Sequence, residues 1–358
     1  MKLALVVPGG VDAGGEERVI PALLDLIERL ARVHEVHVFV LRQHGRWPLR
    51  GATVHGTGGG ALSAVAALRR EHAQAPFKLV QTLFSGSCGL AAVLARGVLG
   101  LPACVHLGGG ERVALPEIGY GGRLGWKSRL CEAIVERGAS AISGASAMAL
   151  AGGPGTRIPL GVALERWPPL APRPRNALPR LLHVASLNQV KDPGTLLHAL
   201  ALLQARGLDF ELDMVGEDTL GGRMQALCAQ LGLAARTRWH GFMRQGEWRV
   251  LAEQADLHVL SSRHEAGPVV VLEAALAGLP TVGTAVGHLA EWAALPGPAA
   301  LAVPVGDAAA LAQAIEGLLA NEQERLRMAR AAQAEALRED ADHTAALFAS
   351  LHAAALGR

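Results

Sequence analysis

Two carboxylates, Glu265 and Glu273, stand eight residues apart within residues 261–291, SSRHEAGPVVVLEAALAGLPTVGTAVGHLAE. A carboxylate can accept two hydroxyl hydrogen bonds and can stabilise positive charge that develops beside it. What the pair does depends on the elements that carry it. Residues 257–260, Leu-His-Val-Leu, are a short apolar run that predicts a buried strand. Ala266, Gly267 and Pro268 follow Glu265, and a proline suits the first turn of a helix because its missing N–H would be unpaired there. That helix is expected to run through Glu273 to about Ala277, with Gly278 as its stop. Residues 279–282 begin the next strand. Glu265 then lies in the loop at the carboxyl end of a strand, where open α/β sheets bind ligands. The N–H groups of Val269 and Val270 at the helix start favour an anion.

Other residues offer chemistry of the same kind. Residues 2–7 predict a strand, followed by a glycine-rich turn and a helix over 18–32. Gly14-Gly15-Glu16 is placed at that helix start, where backbone N–H groups can approach a ligand. No G-x-G-x-x-G is present. His106 ends the predicted strand 103–107, ahead of Gly108-Gly109-Gly110, and is a candidate for a site. Lys191 stands at the start of the helix predicted over 193–205, where its charge opposes the helix dipole, so a functional reason is favoured.

The chain of 358 residues suits two α/β domains. A net charge of +2 gives no global field for nucleic acid, and none is expected as a partner. Mean hydropathy is high, at +0.26, yet no stretch predicts a membrane span. The N-terminal MKLALVVPGG lacks a cleavage site and reads as a first strand. The four cysteines are far apart and indicate neither disulfide nor metal. Strand and helix signals alternate in two series, the second beginning at Arg180 with strands over 181–185, 210–215 and 237–240. A proline-rich join, Pro168 to Pro179, separates the series. This predicts two parallel sheets with a cleft between them. The expected division is residues 1–167, 168–340, and a final helix over 341–356, within 341–358, that returns to the first domain.

The stretch 261–291 resembles the signature of family 4 of the glycosyltransferases: Glu, seven residues, Glu, then Gly278-Leu279-Pro280. Ala266-Gly267-Pro268 replaces the usual Gly-Phe-Gly, and Gly287-His288 replaces a Gly-Gly turn. The resemblance extends over nearly the whole chain. It implies the GT-B architecture, two Rossmann-like parallel-sheet domains facing across a cleft. It implies a retaining, metal-independent transfer of a sugar from a nucleotide-diphosphate donor to a saccharide or lipid-linked acceptor. No further cofactor is implied. By the same resemblance Glu265 contacts the donor sugar and Glu273 the ribose. His106 lies near the reacting sugar, and Gly14 and Gly15 approach the diphosphate. The family's Gly-Arg-Leu, three residues, Lys pattern is matched at Ser186 to Lys191, with serine in place of the diphosphate-clamping arginine. Arg112 or Arg263 is the expected substitute. Gly216 and Met243 fall where relatives meet the nucleotide. A cytoplasmic location is expected, and the helix over 124–137, with Arg123, Trp126, Lys127 and Arg129, reads first as a solvated face and alternatively as one that lies on the inner face of the membrane. Two alternatives stay open: a degenerate transferase that only binds, and a sugar-nucleotide 2-epimerase of the same fold.

Overall fold

The computed structural model describes residues 1–15 and 19–357. Its contacts divide the chain into two units, Met1–Ala163 with Glu339–Arg358, and Leu164–Arg338. The break thus falls a few residues before the proline run, and the returning segment begins at Glu339.

The first unit contains β1 (Lys2–Val7), α1 (Pro21–Ala31), β2 (Glu35–Val40), β3 (His44–Leu49), β4 (Ala52–Thr57), α2 (Ala61–Gln74), β5 (Leu79–Thr82) and α3 (Gly86–Leu99). It continues with β6 (Ala103–Leu107), α4 (Trp126–Gly138), β7 (Ala141–Gly144), α5 (Ala147–Leu150) and β8 (Thr156–Arg157). Its sheet runs β3-β4-β2-β1-β5-β6-β7-β8. Every side chain of β1 is buried. Leu3, Leu5 and Val7 pack with Leu23 and Ile27 of α1, while Ala4 and Val6 pack with Leu68 of α2 and Ala92 of α3. A strand covered on both faces has to be apolar where it is covered, which is why β1 shows no alternation from Leu3 to Val7. The β3–β4 hairpin, which the sequence did not announce, is antiparallel. It turns through Arg50 and Gly51, both with positive φ, in place of the asparagine or aspartate usually found there. Pro48 is tolerated because β3 is the edge strand.

The second unit holds β9 (Arg180–Val184), α6 (Pro193–Ala205), β10 (Glu211–Val215), α7 (Arg223–Gln230), β11 (Thr237–Gly241), α8 (Gln245–Gln254) and β12 (Leu257–Leu260). It goes on with α9 (Val269–Leu276), β13 (Thr281–Thr284), α10 (Gly287–Ala293), β14 (Leu301–Val303), α11 (Ala308–Ala320) and α12 (Glu322–Arg338). The chain ends in α13 (Ala341–Leu356), whose Phe348 and Leu351 join the core of the first unit beside Leu23 and Leu30 of α1. The second sheet is wholly parallel, in the order β11-β10-β9-β12-β13-β14. Numbered along the unit this is 3-2-1-4-5-6, the doubly wound order in which ligands sit where the first and fourth strands part. Helix α9 ends as the sequence suggests. Gly278 takes φ +79°, its N–H bonds to Ala275 O at 3.0 Å, and Leu279 N–H bonds to Ala274 O at 3.0 Å.

Candidate functional site

The strand order of the second unit sets its site. Strands β9 and β12 are neighbours at the switch point, so the loops that leave their carboxyl ends lie side by side. Lys191 comes from the first loop and Glu265 from the second, seventy-four residues apart in sequence. Lys191 Nζ donates to Glu265 Oε1 at 2.5 Å. Ser262 Oγ donates to the same oxygen at 2.7 Å. Glu265 is 8% exposed, and the lysine charge offsets the cost of keeping its carboxylate out of water. The two loops are also tied by main chain: Arg263 N–H bonds to Val190 O at 2.7 Å, and Ser261 Oγ donates to Lys191 O at 3.0 Å.

Beside this pair lies a second cation. Arg263 Nε is 3.0 Å from Asp192 Oδ2. Asp192 is the N-cap of α6, in the left-handed region, where Oδ1 accepts from Thr195 N–H at 3.3 Å. The capping aspartate thus both starts α6 and fixes the arginine next to Lys191. Of the two expected substitutes for the missing arginine, Arg263 stands here. Arg112 does not. It is buried in the first unit, with Nε on Glu136 at 2.9 Å and a terminal nitrogen on Leu150 O at 2.6 Å.

Glu273 lies one turn into α9 and is 7% exposed. Gln245 Nε2 donates to its Oε1 at 2.5 Å, linking it to the loop after β11 that carries Met243. Trp167 Nε1 bonds to the Glu273 carbonyl at 2.8 Å and fixes the helix turn beneath it. Gly216 ends β10 with φ +146°, and a Cβ there would meet Ala185 O at 1.9 Å. Its N–H bonds to Gly241 O at 2.8 Å, joining the ends of β10 and β11. Ser186 is exposed at the end of β9, between these loops and Lys191. Ala266, Gly267 and Pro268 form the turn into α9, whose first two N–H groups are those of Val269 and Val270. Pro268 is the N-cap, one position earlier than expected, because its ψ of 102° is extended. Gly287, with φ +50°, presses on this turn: a Cβ would lie 2.7 Å from Pro268 Cδ and 3.1 Å from the Glu265 carbonyl.

Below the pair, His183 on β9 is fully buried and bonds through Nδ1 to Val259 O at 2.9 Å. Burial first, and the nearby Lys191 charge second among the lowering effects, push its pKa down to about 4. It stays neutral under a site that already carries opposite charges.

Two expectations in the first unit need correction. His106 is not open to a ligand. It is 0% exposed, with Nδ1 3.0 Å from Ser143 Oγ and its ring edge-on to Phe348 of α13. All five residues of β6 are buried, so nearness to the strand end gives no exposure, and burial lowers its pKa to about 3. Gly14 and Gly15 are not at a helix start. Their N–H groups bond to Asp12, at 3.3 Å to Oδ2 and 2.9 Å to the carbonyl. Helix α1 begins only at Pro21, and Glu16 lies outside the described residues. The first unit has instead a cavity of about 560 Å³ at the carboxyl ends of its strands, lined by Pro8, Arg42, Gly58, Phe84, Ser85 and Ser87 among others.

Sequence reading missed Ser262 and Gln245 as site residues, and named Arg263 only as a substitute. Ser262 could have been suspected from its place three residues before Glu265, whereas Gln245 meets Glu273 only through the strand order.

The chain is similar to known proteins in two ways. Residues 172–335 match the family model described as "Glycosyl transferases group 1". Among curated proteins, a glycogen synthase of Mycobacterium tuberculosis is 33% identical over 184 residues, 50% of this chain and 44% of that protein. An MMP alpha-(1->4)-mannosyltransferase of Mycolicibacterium hassiacum is 28% identical over 172 residues, 48% of this chain and 41% of its own length. The chain therefore spans less than half the length of these relatives. Among solved structures, sucrose-phosphate synthase of Thermosynechococcus elongatus superposes with a TM-score of 0.80 at 19% identity, covering 98% of each chain. HepE of Anabaena, crystallised in complex with UDP-glucose, superposes with a TM-score of 0.76 at 19% identity, covering 98% of this chain and 99% of that one. At such identities the likeness is one of fold, two Rossmann-like parallel-sheet units of the GT-B class. By sequence, then, the likeness to the glycosyl transferases group 1 family lies in residues 172–335, within the second unit.

Proposed function

We propose that this chain transfers a sugar, with retention, from a nucleoside-diphosphate donor to a saccharide or lipid-linked acceptor, with no metal at the reacting bond. The observation that carries this reading is the Lys191–Glu265 pair at the switch point of the second sheet. The leaving diphosphate needs positive charge, and side chains and helix N–H groups supply it. Lys191, Arg263 and the N–H groups of Val269 and Val270 are the groups we assign to it. Lys191 then exchanges part of its bond to Glu265 for the phosphates, and Glu265 accepts sugar hydroxyls while its charge favours an oxocarbenium-like transition state. Glu273, oriented by Gln245, accepts the ribose hydroxyls, and Gly216, Ser186 and Met243 shape the nucleotide end. Metal independence is tested by transfer assays with a panel of nucleotide sugars in excess chelator. Loss of transfer, restored by Mn²⁺ or Mg²⁺, contradicts it.

The acceptor is assigned to the first unit, whose cavity beside Arg42 has no counterpart role in the donor assignment. For a lipid-linked acceptor, α4 offers a membrane-facing surface. Trp126, Leu130 and Ile134 are exposed at helical spacing, next to exposed Lys127 and Arg129. Its carboxylates turn away: Glu132 accepts from Ser85 Oγ at 2.9 Å and Glu136 pairs with Arg112. An apolar stripe flanked by cations suits an anionic bilayer surface. No helix of the described residues is long and apolar enough to cross a membrane. Co-sedimentation with vesicles of anionic lipid, lost at high salt, is the expected result, and equal binding to neutral vesicles contradicts it. The exposed Ser186 favours a second reading, a binding-only relative, and absence of transfer in the presence of donor binding would select it.

A further inference from the structure

A separate cluster of ligating side chains lies in the first unit, on β2, β4 and α2. His37 and His55 come from neighbouring parallel strands, and Glu71 from the helix that covers that face. His37 is 5% exposed and His55 8%, and their rings pack against Phe39 and Phe77. The polar atoms form a row. Glu35 Oε1 is 3.0 Å from His37 Nε2, His37 Nδ1 is 2.9 Å from His55 Nε2, and His55 Nδ1 is 3.8 Å from Glu71 Oε1.

Counting protons exposes an imbalance. A row of two imidazoles capped by two carboxylates has three gaps, each needing one positive centre. Two neutral imidazoles bring only two N–H groups. The 3.8 Å gap is the one left over. Neutral imidazoles beside a carboxylate are the donor set of a divalent transition metal.

We propose that His37, His55 and Glu71 bind a zinc ion that ties β2, β4 and α2 together. Tetrahedral zinc with bonds of about 2.0–2.1 Å places its ligand atoms roughly 3.4 Å apart. The separations bracket that figure: 2.9 Å between His37 Nδ1 and His55 Nε2, and 3.8 Å between His37 Nδ1 and Glu71 Oε2. One ligand atom from each of the three residues lies within 4.8 Å of the others. With zinc on Nδ1, His37 keeps its Nε2–H on Glu35, the carboxylate support that ligating histidines ordinarily have. Two cations face the cluster. Lys2 is 3.8 Å from Glu35 and sits over Phe77. Arg46 is 3.4 Å from Glu71 but its side chain is 58% exposed, so it can swing into water when the ion enters. None of these residues belongs to the proposed donor site, so the ion acts on stability and not on the transfer step.

The test uses the full chain, stripped with chelator and titrated with Zn²⁺. One zinc per chain is expected, and with free zinc at a hundred times its Kd the thermal midpoint should rise by roughly 3–5 °C. Co²⁺ in its place should give the visible absorption of a tetrahedral site. H55Q and E71Q should each weaken zinc binding at least tenfold with unchanged circular dichroism. E71Q, on a partly exposed side chain, serves where H55Q fails to fold. The proposal is overturned if the wild-type chain shows no saturable zinc binding. It is equally overturned if both variants bind zinc as the wild type does, because the metal then sits on other histidines. Transfer at 25 °C should be the same with and without zinc, which separates this site from the donor site.

Discussion

The two sheets share one winding and differ in what hangs from it. Setting aside the antiparallel β3 and the short β8, the first unit's strands also run 3-2-1-4-5-6, as β4-β2-β1-β5-β6-β7. At the carboxyl end of the second sheet, the loops bring Lys191, Asp192, Arg263 and Glu265 into direct contact, with Glu273 one turn further on. At the same end of the first sheet stand glycines, serines and Arg42 around a cavity. The ionisable cluster of that unit sits instead on the flank of the sheet, under α2. Topology therefore decides where a site can be, and loop chemistry decides what it does. The paired charges suit a diphosphate and a sugar. The cavity, with Arg42 among glycines and serines, is the place proposed for the acceptor.

The largest effect should come from the second unit. Glu265→Gln keeps shape and hydrogen bonding and removes one charge of the pair. A preorganised electrostatic contact of this kind is worth about 10²–10³ in kcat. Steady-state kinetics check it, after circular dichroism has shown an intact fold, and a near-normal kcat would remove the sugar-site role. A smaller effect is expected at Glu273. The ribose is held alike in ground and transition states, so Glu273→Gln should raise KM about tenfold with kcat little changed. A fall in kcat alone would mean that Glu273 acts on the reacting bond.

The buried histidines should respond in stability and not in rate. His106→Gln is expected to lower the thermal midpoint by a few degrees and leave kcat within twofold, the reverse of Glu265→Gln. His106 and His258 have pKa values pushed down to about 3, and His183 and His352 to about 4, all by burial. Unfolding returns each to about 6.5. Between roughly pH 6.5 and 4 the unfolded chain thus binds more protons, so stability is whole above pH 6.5 and falls as pH drops. A thermal midpoint that stays level from pH 7.5 to 5 would contradict the burial of these rings.

Much of this was legible in the sequence where the local signal carried it. Residues 257–260, Glu265, the Gly278 stop and Lys191 all lie in short runs whose strand, loop or helix character is set by neighbours. The strand order is not local, and the contacts Lys191–Glu265 and Gln245–Glu273 depend on it. The hairpin of β3 and β4 was hidden by Pro48 and by an Arg50-Gly51 turn that lacks the usual asparagine. His106 was misread because its place near a strand end is local, while its direction is set by α13, more than two hundred residues away. Gly14-Gly15 was read as a helix start because two glycines look alike in a helix entry and in a turn closed on Asp12.

The central claim is that a donor diphosphate binds where Lys191 meets Glu265. Calorimetric titration of UDP and GDP into the wild-type chain and into Lys191→Met tests it most directly. Methionine keeps the length of the side chain and removes the cation that would meet the phosphates. At least one nucleotide should bind the wild type saturably, and the variant should bind it ten- to a hundredfold more weakly, a loss of about 1.4–2.8 kcal/mol. Equal affinity in the two folded proteins would place the diphosphate elsewhere and remove the basis for the transfer reaction proposed.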